Sequence, residues 1–340
     1  MQQREKSRVR GLRKQVSQAF GKRLSPLRQS DKVLAIFCSD IHLSARPPRA
    51  RRNEPDWYLA MSRPLNELKA LSERYEAPII CCGDVFDHWR AEPELINFAI
   101  SNLPRMYAIP GQHDLPLHNI DKITQSAYWT MVLVGKIIPV KYGFPMSAEN
   151  DLVIHGFPWG TTISSKAEEI KESSKKHVAI CHQYFWQDGY AFPGAPEEQE
   201  ASTYANKIRG YHAVAFGDNH KGFLTSIGGV SVLNCGGFMR RRTDEEFYEP
   251  AVGLLLEGGG ILLHRFRLSY ESFTADDEEE ENGIKKVPRL NDASDFVAGL
   301  RESVDKTFDF VQALEFVLER DKKMISVEVR DMVLRALERK

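Results

Sequence analysis

The segment Cys81-Cys82-Gly83-Asp84-Val85-Phe86-Asp87-His88-Trp89 places a carboxylate directly after a short apolar stretch. Residues 79–82 predict a buried strand, and Gly83 ends it because glycine allows a sharp backbone turn. Asp84 is thereby expected at the carboxyl end of a strand, where open α/β sheets hold their ligands. A single Gly-Asp pair is weak evidence, since turns and helix caps use the same residues.

The same arrangement recurs four more times along the chain. Each time, an apolar stretch that predicts a strand is followed by carboxylate, imidazole or amide side chains. The four junctions are Ser39-Asp40-Ile41-His42, Gly111-Gln112-His113-Asp114, Cys181-His182-Gln183 and Gly217-Asp218-Asn219-His220. Together the five strand ends carry the side chains that bind divalent metal ions.

This set of side chains fits a site for two metal ions. Two ions about 3.5 to 4 Å apart need one shared carboxylate and about three further oxygen or nitrogen ligands each. We predict that Asp84 is the shared ligand. Residues two apart on an extended segment point to the same side, so Asp40-x-His42 and Asp218-x-His220 can each face one cavity. The other predicted ligands are Asp40, His42 and His220 for one ion, and Gln112, His182 and Asp218 for the second.

The order of these motifs resembles that of the calcineurin-like metallophosphoesterase family. The usual signatures of that family are Asp-x-His, Gly-Asp, Gly-Asn-His-Asp/Glu, a lone His and Gly-His-x-His, and the likeness covers residues 33–266. Within the family, the motifs look most like those of the SbcD-type nuclease subunits of DNA-repair complexes. Two positions depart from the pattern: Gln112 stands where the family has Asn, and Asp218 where it has the first His of the last motif.

The resemblance implies a phosphodiesterase that hydrolyses DNA, as an exonuclease or endonuclease, through attack by a hydroxide that bridges two metal ions. The family histidine that corresponds to His113 faces the substrate, where it protonates the leaving oxygen or stabilises transition-state charge. Asp87 resembles the family carboxylate that orients this imidazole. Manganese is the predicted metal, because carboxylate and amide oxygens suit manganese or magnesium, with iron and zinc as alternatives.

Two other functions remain open from the sequence. One is a phosphomonoesterase, or a small-molecule pyrophosphatase or phosphodiesterase of the same fold. Lipid-sugar hydrolases of this fold tend to carry an apolar cap, and no such segment is evident between Asp114 and Asp151 beyond residues 128–134. The other is a catalytically weakened scaffold subunit, which Gln112 and Asp218 favour.

The pattern of elements predicts an α/β fold with two mixed sheets packed face to face, helices outside them and a C-terminal helical extension. The resemblance implies a four-layer α/β/β/α metallophosphoesterase sandwich. Strands and helices alternate in the first half, which is the order of a parallel sheet. The second half is rich in strands, and glycine-rich junctions at 228–229 and 258–260 predict antiparallel hairpins. The elements predicted in the first half are strands at 33–38, 79–82 and 106–109 and helices at 64–75 and 93–102.

Four regions are predicted along the chain. They are a basic flexible tail (1–30), a metallophosphoesterase core (31–270), an acidic linker (271–289) and a helical C-terminal extension (290–340). The tail is rich in Lys and Arg and suits nucleic acid, a membrane surface, a solvated tail or a transit peptide. Within the core, the Arg- and Pro-rich loop 46–52 is expected at the rim of the site, where its charges contact phosphate or remain solvated.

The predicted partners are DNA and an SbcC-type coiled-coil ATPase, which the resemblance places on the C-terminal helices. A homodimer is left open as a further partner state. No membrane partner is expected, since no stretch approaches the roughly 18 apolar residues of a membrane span. The five cysteines are odd in number and lie in apolar stretches, so we predict buried thiols in a reducing compartment and a cytoplasmic location.

Overall fold

A computed structural model of the chain describes residues 32–166, 170, 173–192, 194–267 and 271–274. The predicted tail, the predicted helical extension and most of the predicted linker lie outside these described residues. The fold and the site below therefore belong to the predicted core.

The first sheet has six strands, and its centre is parallel. Its strands are β1 (Val33–Cys38), β2 (Ile79–Cys81), β3 (Met106–Ala108), β4 (Ile137–Pro139), β11 (Ala251–Leu256) and β12 (Ile261–Arg265). The spatial order is β12-β11-β1-β2-β3-β4, with β1 to β4 parallel and β11 antiparallel to both of its neighbours. β1 is apolar and buried throughout, as expected of a central strand covered on both faces.

The second sheet also has six strands and a parallel centre. Its strands are β5 (Met146–Ser147), β6 (Leu152–Phe157), β7 (Lys176–His182), β8 (Ala213–Gly217), β9 (Phe223–Ile227) and β10 (Val230–Asn234). The order is β5-β6-β7-β8-β10-β9, in which β6, β7, β8 and β10 are parallel and the two edge strands are antiparallel. The two sheets are mixed, as predicted.

The sheets pack face to face through a shared apolar layer. Phe37 and Ile80 of the first sheet belong to the same buried cluster as Ile154, Ile180 and Leu233 of the second. Each fully buried aliphatic side chain of this kind stabilises the fold by roughly 1.5 to 3 kcal/mol. This layer fixes the two sheets relative to each other, so their strand ends are held together at one edge.

The outer faces of the sheets are covered differently. The first sheet packs against α1 (Trp57–Tyr75), α2 (Pro93–Asn102) and α3 (Ala127–Leu133). On the outer face of the second sheet, Phe216 packs against Phe185 and Tyr204, and Tyr204 ends a short 3-10 turn, Ala201–Tyr204. The four-layer prediction of two mixed sheets with flanking helices is confirmed.

The structure differs from the sequence prediction mainly at element ends. The helix predicted from Pro64 begins at Trp57, where the Asp56 side chain caps it by accepting a hydrogen bond from the backbone of Leu59 (2.9 Å). Pro64 therefore lies inside the helix, although proline is typical of its first turn. Both glycine-rich hairpins are confirmed as antiparallel, whereas β10 also pairs in parallel with β8.

All five cysteines are buried and free, so they act as small apolar side chains. Over the described ranges, the helices are too short or too polar to cross a bilayer.

Candidate metal centre

The five predicted junctions meet at one end of the two sheets. They follow β1, β2 and β3 of the first sheet and β7 and β8 of the second. Backbone hydrogen bonds from Asp40 to Gly83 and from His42 to the Asp84 carbonyl, both 3.0 Å, join the first two loops. The Asp218 N–H donates to both carboxylate oxygens of Asp40, at 3.2 and 3.3 Å, which ties the second sheet to the first.

The first predicted ligand group is closely assembled. The Nε2 atoms of His42 and His220 lie 3.1 Å apart. The Oδ1 atom of Asp40 lies 3.7 Å from the first and 3.6 Å from the second. Two imidazoles and a carboxylate that point at one another over such distances leave room for a cation among them.

Asp84 lies between the two predicted groups. Its Oδ2 atom is 3.3 Å from His182 Nε2 and 3.8 Å from His42 Nε2. Its other oxygen accepts a hydrogen bond from the backbone N–H of His113, at 3.0 Å, which fixes the carboxylate. The side chain is completely buried. This placement is the one that a shared carboxylate ligand requires.

The second predicted group is held by hydrogen bonds, and its His182 Nε2 faces Asp84. His182 Nδ1 donates to the Cys82 carbonyl at 2.6 Å, so in its neutral form the ring presents an unprotonated Nε2. Gln112 Nε2 donates to Asp218 Oδ1 at 2.8 Å, so the Oε1 atom of the amide remains available. The extra methylene of Gln112 does not prevent the amide from reaching the site.

Three buried polar atoms of Asp84 and the second predicted group have no hydrogen-bond partner among the described residues. They are Asp84 Oδ2, Gln112 Oε1 and His182 Nε2. A buried acceptor without a partner costs about 1 to 3 kcal/mol, and more when it is charged. Since all three are electron-pair donors and all three are predicted ligands, a divalent cation fits the site and would satisfy them.

Charges inside the site hold two of its carboxylates ionised. Burial opposes ionisation of Asp40, but the nearby His220 and His42 imidazoles outweigh it and hold the pKa of Asp40 well below its usual range. Burial likewise opposes ionisation of Asp84, and the charge of His182 lowers the pKa of that carboxyl.

The pKa values of His42 and Asp218 are both raised, and neighbouring carboxylates contribute to each rise. Burial disfavours the charged form of His42, but contacts with Asp40 and Asp87 raise its pKa to about 9. Burial raises the pKa of Asp218, and the nearby Asp84 carboxylate adds to the rise. A dication bound here would be attracted by the same carboxylates that raise the pKa of His42.

His113 and Asp87 lie beside the predicted ligands, but their contacts differ from expectation. The Nδ1 of His113 donates to the main-chain oxygen of Asp87, at 2.8 Å, so the backbone orients the ring. The Asp87 carboxylate instead lies 3.3 Å from His42 Nδ1 and 2.8 Å from Arg241 Nη2. The Nε2 of His113 is 4.0 Å from Asp84 Oδ2, and its side chain is about one-third exposed (32%).

Asp114 stabilises the loops beneath the site. Its buried carboxylate accepts hydrogen bonds from the backbone N–H groups of Val85 (3.2 Å), Phe86 (3.0 Å) and Gly111 (3.1 Å). Burial and the Asp84 charge raise the pKa of Asp114 to about 7. Asp114 thus joins the loops after β2 and β3.

Two arginines behave differently from the sequence expectation. Arg51, in the loop expected at the rim, is almost completely buried and pairs with Glu54 and with Glu271 (3.1 Å). Arg241 reaches the site, yet it belongs to no motif and sequence reasoning missed it. The one available signal was the run Arg240-Arg241-Arg242 soon after the last motif.

The fold and the site define a metal-dependent phosphoesterase. Residues 34–254 match the family model described as the calcineurin-like phosphoesterase superfamily domain. The chain belongs to that superfamily.

Several solved structures are similar to this chain at low identity. A 5′-nucleotidase precursor from Thermus thermophilus is 13% identical, with a TM-score of 0.44 over 72% of this chain and 56% of that one. The Haemophilus influenzae NAD nucleotidase NadN is 12% identical, with a TM-score of 0.41 over 86% and 60%. The calcineurin-like phosphoesterase YfkN from Bacillus subtilis is 13% identical, with a TM-score of 0.40 over 69% and 89%. The chain thus spans little more than half of either nucleotidase. No curated protein matches it.

Proposed function

We propose that this chain is a two-metal phosphodiesterase that hydrolyses DNA and works best with manganese. The observation that carries the proposal is the group of three buried, unpartnered donor atoms on Asp84, Gln112 and His182, next to the Asp40, His42 and His220 group. Oxygen-rich ligands favour manganese or magnesium. When bound, the two ions would lower the pKa of a water molecule and polarise the phosphate.

The residues of the chain supply the remaining requirements of hydrolysis. Water loses one proton to the solvent as its oxygen bonds to phosphorus, one P–O ester bond breaks, and the leaving oxygen takes up a proton. His113 is placed to deliver that proton, because Asp87 O fixes Nδ1 while Nε2 remains near Asp84 and partly exposed. The backbone N–H of His113 also donates a hydrogen bond to the Asp84 carboxylate. The proposed shared ligand and the proposed proton donor are therefore held in a fixed arrangement.

Three features support DNA as the substrate. The motifs resemble those of SbcD-type nucleases. The side chains of His113 and His220 are each 32% exposed while Asp40 and Asp84 are buried, so the site opens to solvent on one side, as a polymeric substrate requires. The basic segment 1–30 would add attraction for a polyanion.

The test is an activity panel with the full chain and saturating manganese. The substrates are end-labelled single- and double-stranded DNA, bis-p-nitrophenyl phosphate, p-nitrophenyl phosphate and a nucleoside 5′-monophosphate. We expect hydrolysis of DNA and of the synthetic diester, loss of both on chelation, and a fall in kcat for His113→Ala. Phe144→Ala, at an exposed aromatic residue outside the site, is the control.

The other outcomes distinguish the alternatives. Cleavage confined to monoesters would establish a phosphomonoesterase of the same fold. Binding of metal without hydrolysis of any substrate would identify a scaffold subunit.

We also propose that the C-terminal region 290–340 binds a coiled-coil ATPase of the SbcC type. The proposal rests on the family resemblance and on an apolar stripe at helical spacing in the sequence of that region: Val297, Leu300, Val304, Phe308, Val311, Leu314 and Leu318. Co-elution of an ATPase with the full chain, and its loss when apolar residues of the stripe such as Leu300 and Leu314 are replaced by Ser, would support it.

A further inference from the structure

Arg241 contacts two parts of the predicted metal centre at once. Its Nη2 atom lies 2.8 Å from Asp87 Oδ1, and its Nη1 donates to the main-chain oxygen of His42 at 2.5 Å. The same Nη1 lies 3.5 Å from Ser44 Oγ. Only 11% of the side chain is exposed. Both terminal nitrogens therefore already have protein partners, and this arginine is not placed as a free phosphate ligand.

The loop that carries Arg241 is itself fixed from behind. The Arg241 N–H donates to Glu245 Oε2 at 2.7 Å. The neighbouring Arg240 pairs with Glu271 at 2.6 Å, and the Arg240 carbonyl accepts a hydrogen bond from Arg51 Nη1 at 3.3 Å. A guanidinium held in this way can in turn hold other groups in place, because little rotational freedom remains to it.

Asp87 connects Arg241 to a predicted ligand. Its Oδ1 atom is 3.3 Å from His42 Nδ1, on the ring side opposite the Nε2 that faces the site. Within the part of the chain that the structure describes, His42 Nδ1 has no hydrogen-bond partner, so this contact is not an aligned hydrogen bond. The Asp87 side chain is 41% exposed, so burial alone does not fix it. Carboxylates in this position set the tautomer and orientation of histidines that bind metals.

The main chain of His42 also needs support. His42 has a φ of 48°, in the left-handed region that non-glycine residues rarely adopt. The Arg241 hydrogen bond is to the carbonyl of this residue. One guanidinium thus restrains the backbone of His42 directly and its ring through Asp87.

We infer that Arg241 is a positioning residue for metal binding, which holds His42 in place through its carbonyl and through Asp87. The carboxylate of Asp87 then orients His42, a predicted ligand of the first ion, while the main-chain oxygen of Asp87 orients His113. This inference rests on the proposed metal site, but not on the identity of the substrate.

The test is a metal titration of Arg241→Ala, Arg241→Lys and Asp87→Asn in the full chain without substrate. Calorimetry with manganese gives the two affinities, and the visible absorption of bound cobalt(II) reports ligand geometry. Arg241→Ala and Asp87→Asn should each weaken one site about 10- to 100-fold, as changes of such supporting residues usually do. Arg241→Lys should restore part of the affinity, since a lysine reaches one partner at a time.

The matched control is Arg242→Ala. The Arg242 side chain is next in sequence but is 71% exposed and pairs with Asp244. The Arg242→Ala variant should bind both metal ions with wild-type affinity.

The outcomes separate this inference from the proposed function. If the wild type binds no metal, the proposed site is wrong. If the wild type and Arg241→Ala both bind two ions with equal affinity and the same cobalt spectrum, Arg241 has no positioning role. If Arg241→Ala does not fold, wild-type affinity in both Arg241→Lys and Asp87→Asn overturns the inference in the same way.

Discussion

Several predicted ligands occupy a strained backbone conformation. The φ angles of Asp40, His42, Asp84 and Asp218 are 53°, 48°, 52° and 81°. Such residues cost on the order of 1 to 3 kcal/mol each and persist only where the surroundings hold them. Here the hydrogen bonds between the first two loops and the burial of Asp40 and Asp84 supply that restraint. Four of the nine non-glycine residues with positive φ in the described ranges are predicted ligands, which supports a functional reason for their placement.

Asp84 provides the sharpest test of the metal centre. The change Asp84→Ala should remove both ions and all hydrolysis, because the carboxylate lies between the two ligand groups. Metal content by mass spectrometry and activity on a synthetic diester measure the effect, and circular dichroism checks that the fold remains. A variant that retains two ions and near wild-type activity would contradict the role of Asp84 as the shared ligand.

Asp218 is predicted to set the preference among metals. Its Oδ1 accepts the Gln112 amide, so its second oxygen is the candidate donor. A carboxylate favours hard cations, whereas imidazole favours zinc. Asp218→His should therefore lower manganese affinity and raise zinc affinity at one site. Competitive titration with the two metals measures the change, and an unchanged ratio would show that Asp218 is not a ligand.

At the level of elements, glycines allow the strand ends of both sheets to approach one another. A Cβ added at Gly83 would clash with the His182 ring, and one at Gly217 would clash with Ser39 Oγ. A Cβ at Gly111 would overlap Asp84 Oδ1 and lie 2.6 Å from His182 Nε2. The space in front of Gly111 is thus part of the metal centre itself.

Gly111→Ala should consequently abolish metal binding at the second site. The added methyl group would occupy the space between Asp84 and His182. The φ angle of Gly111 is not positive, so the backbone at this position does not itself require glycine. Calorimetry with manganese should show loss of at least one ion. Gly258→Ala is the matched control, since a Cβ there meets no atom within 4 Å, and it should bind metal as the wild type does.

The sequence predicted the elements that carry motifs better than those that do not. Strand-end motifs such as Gly83-Asp84 depend on local sequence, and the structure places their side chains together. The predicted start of α1 was wrong, because Pro64 was interpreted as a first-turn residue although it lies within the helix. Arg241 was missed because its partners, His42 and Asp87, are distant in sequence, and only the tertiary fold brings them together.

At the scale of the whole molecule, charge is unevenly distributed along a chain of formal net charge −1. Residues 1–30 are basic, and residues 276–281 are acidic. Within the described core, Arg51 and Arg240 are neutralised by Glu54 and Glu271. DNA affinity is therefore expected to depend strongly on charges outside the described core.

Deletion of residues 1–30 should weaken DNA binding and reduce its salt dependence. Each lost phosphate contact lowers the slope of log affinity against log salt by about 0.9 on double-stranded DNA. A full-length variant with the tail arginines and lysines changed to glutamine tests charge without changing length, and it should have the same reduced slope. Fluorescence anisotropy over a salt series measures the slopes.

Hydrolysis of bis-p-nitrophenyl phosphate should remain at the wild-type rate in both variants, because all predicted ligands lie between Asp40 and His220. Wild-type slopes in both variants would show that the tail does not contact DNA and would leave a solvated tail, a membrane contact or a targeting segment as its role.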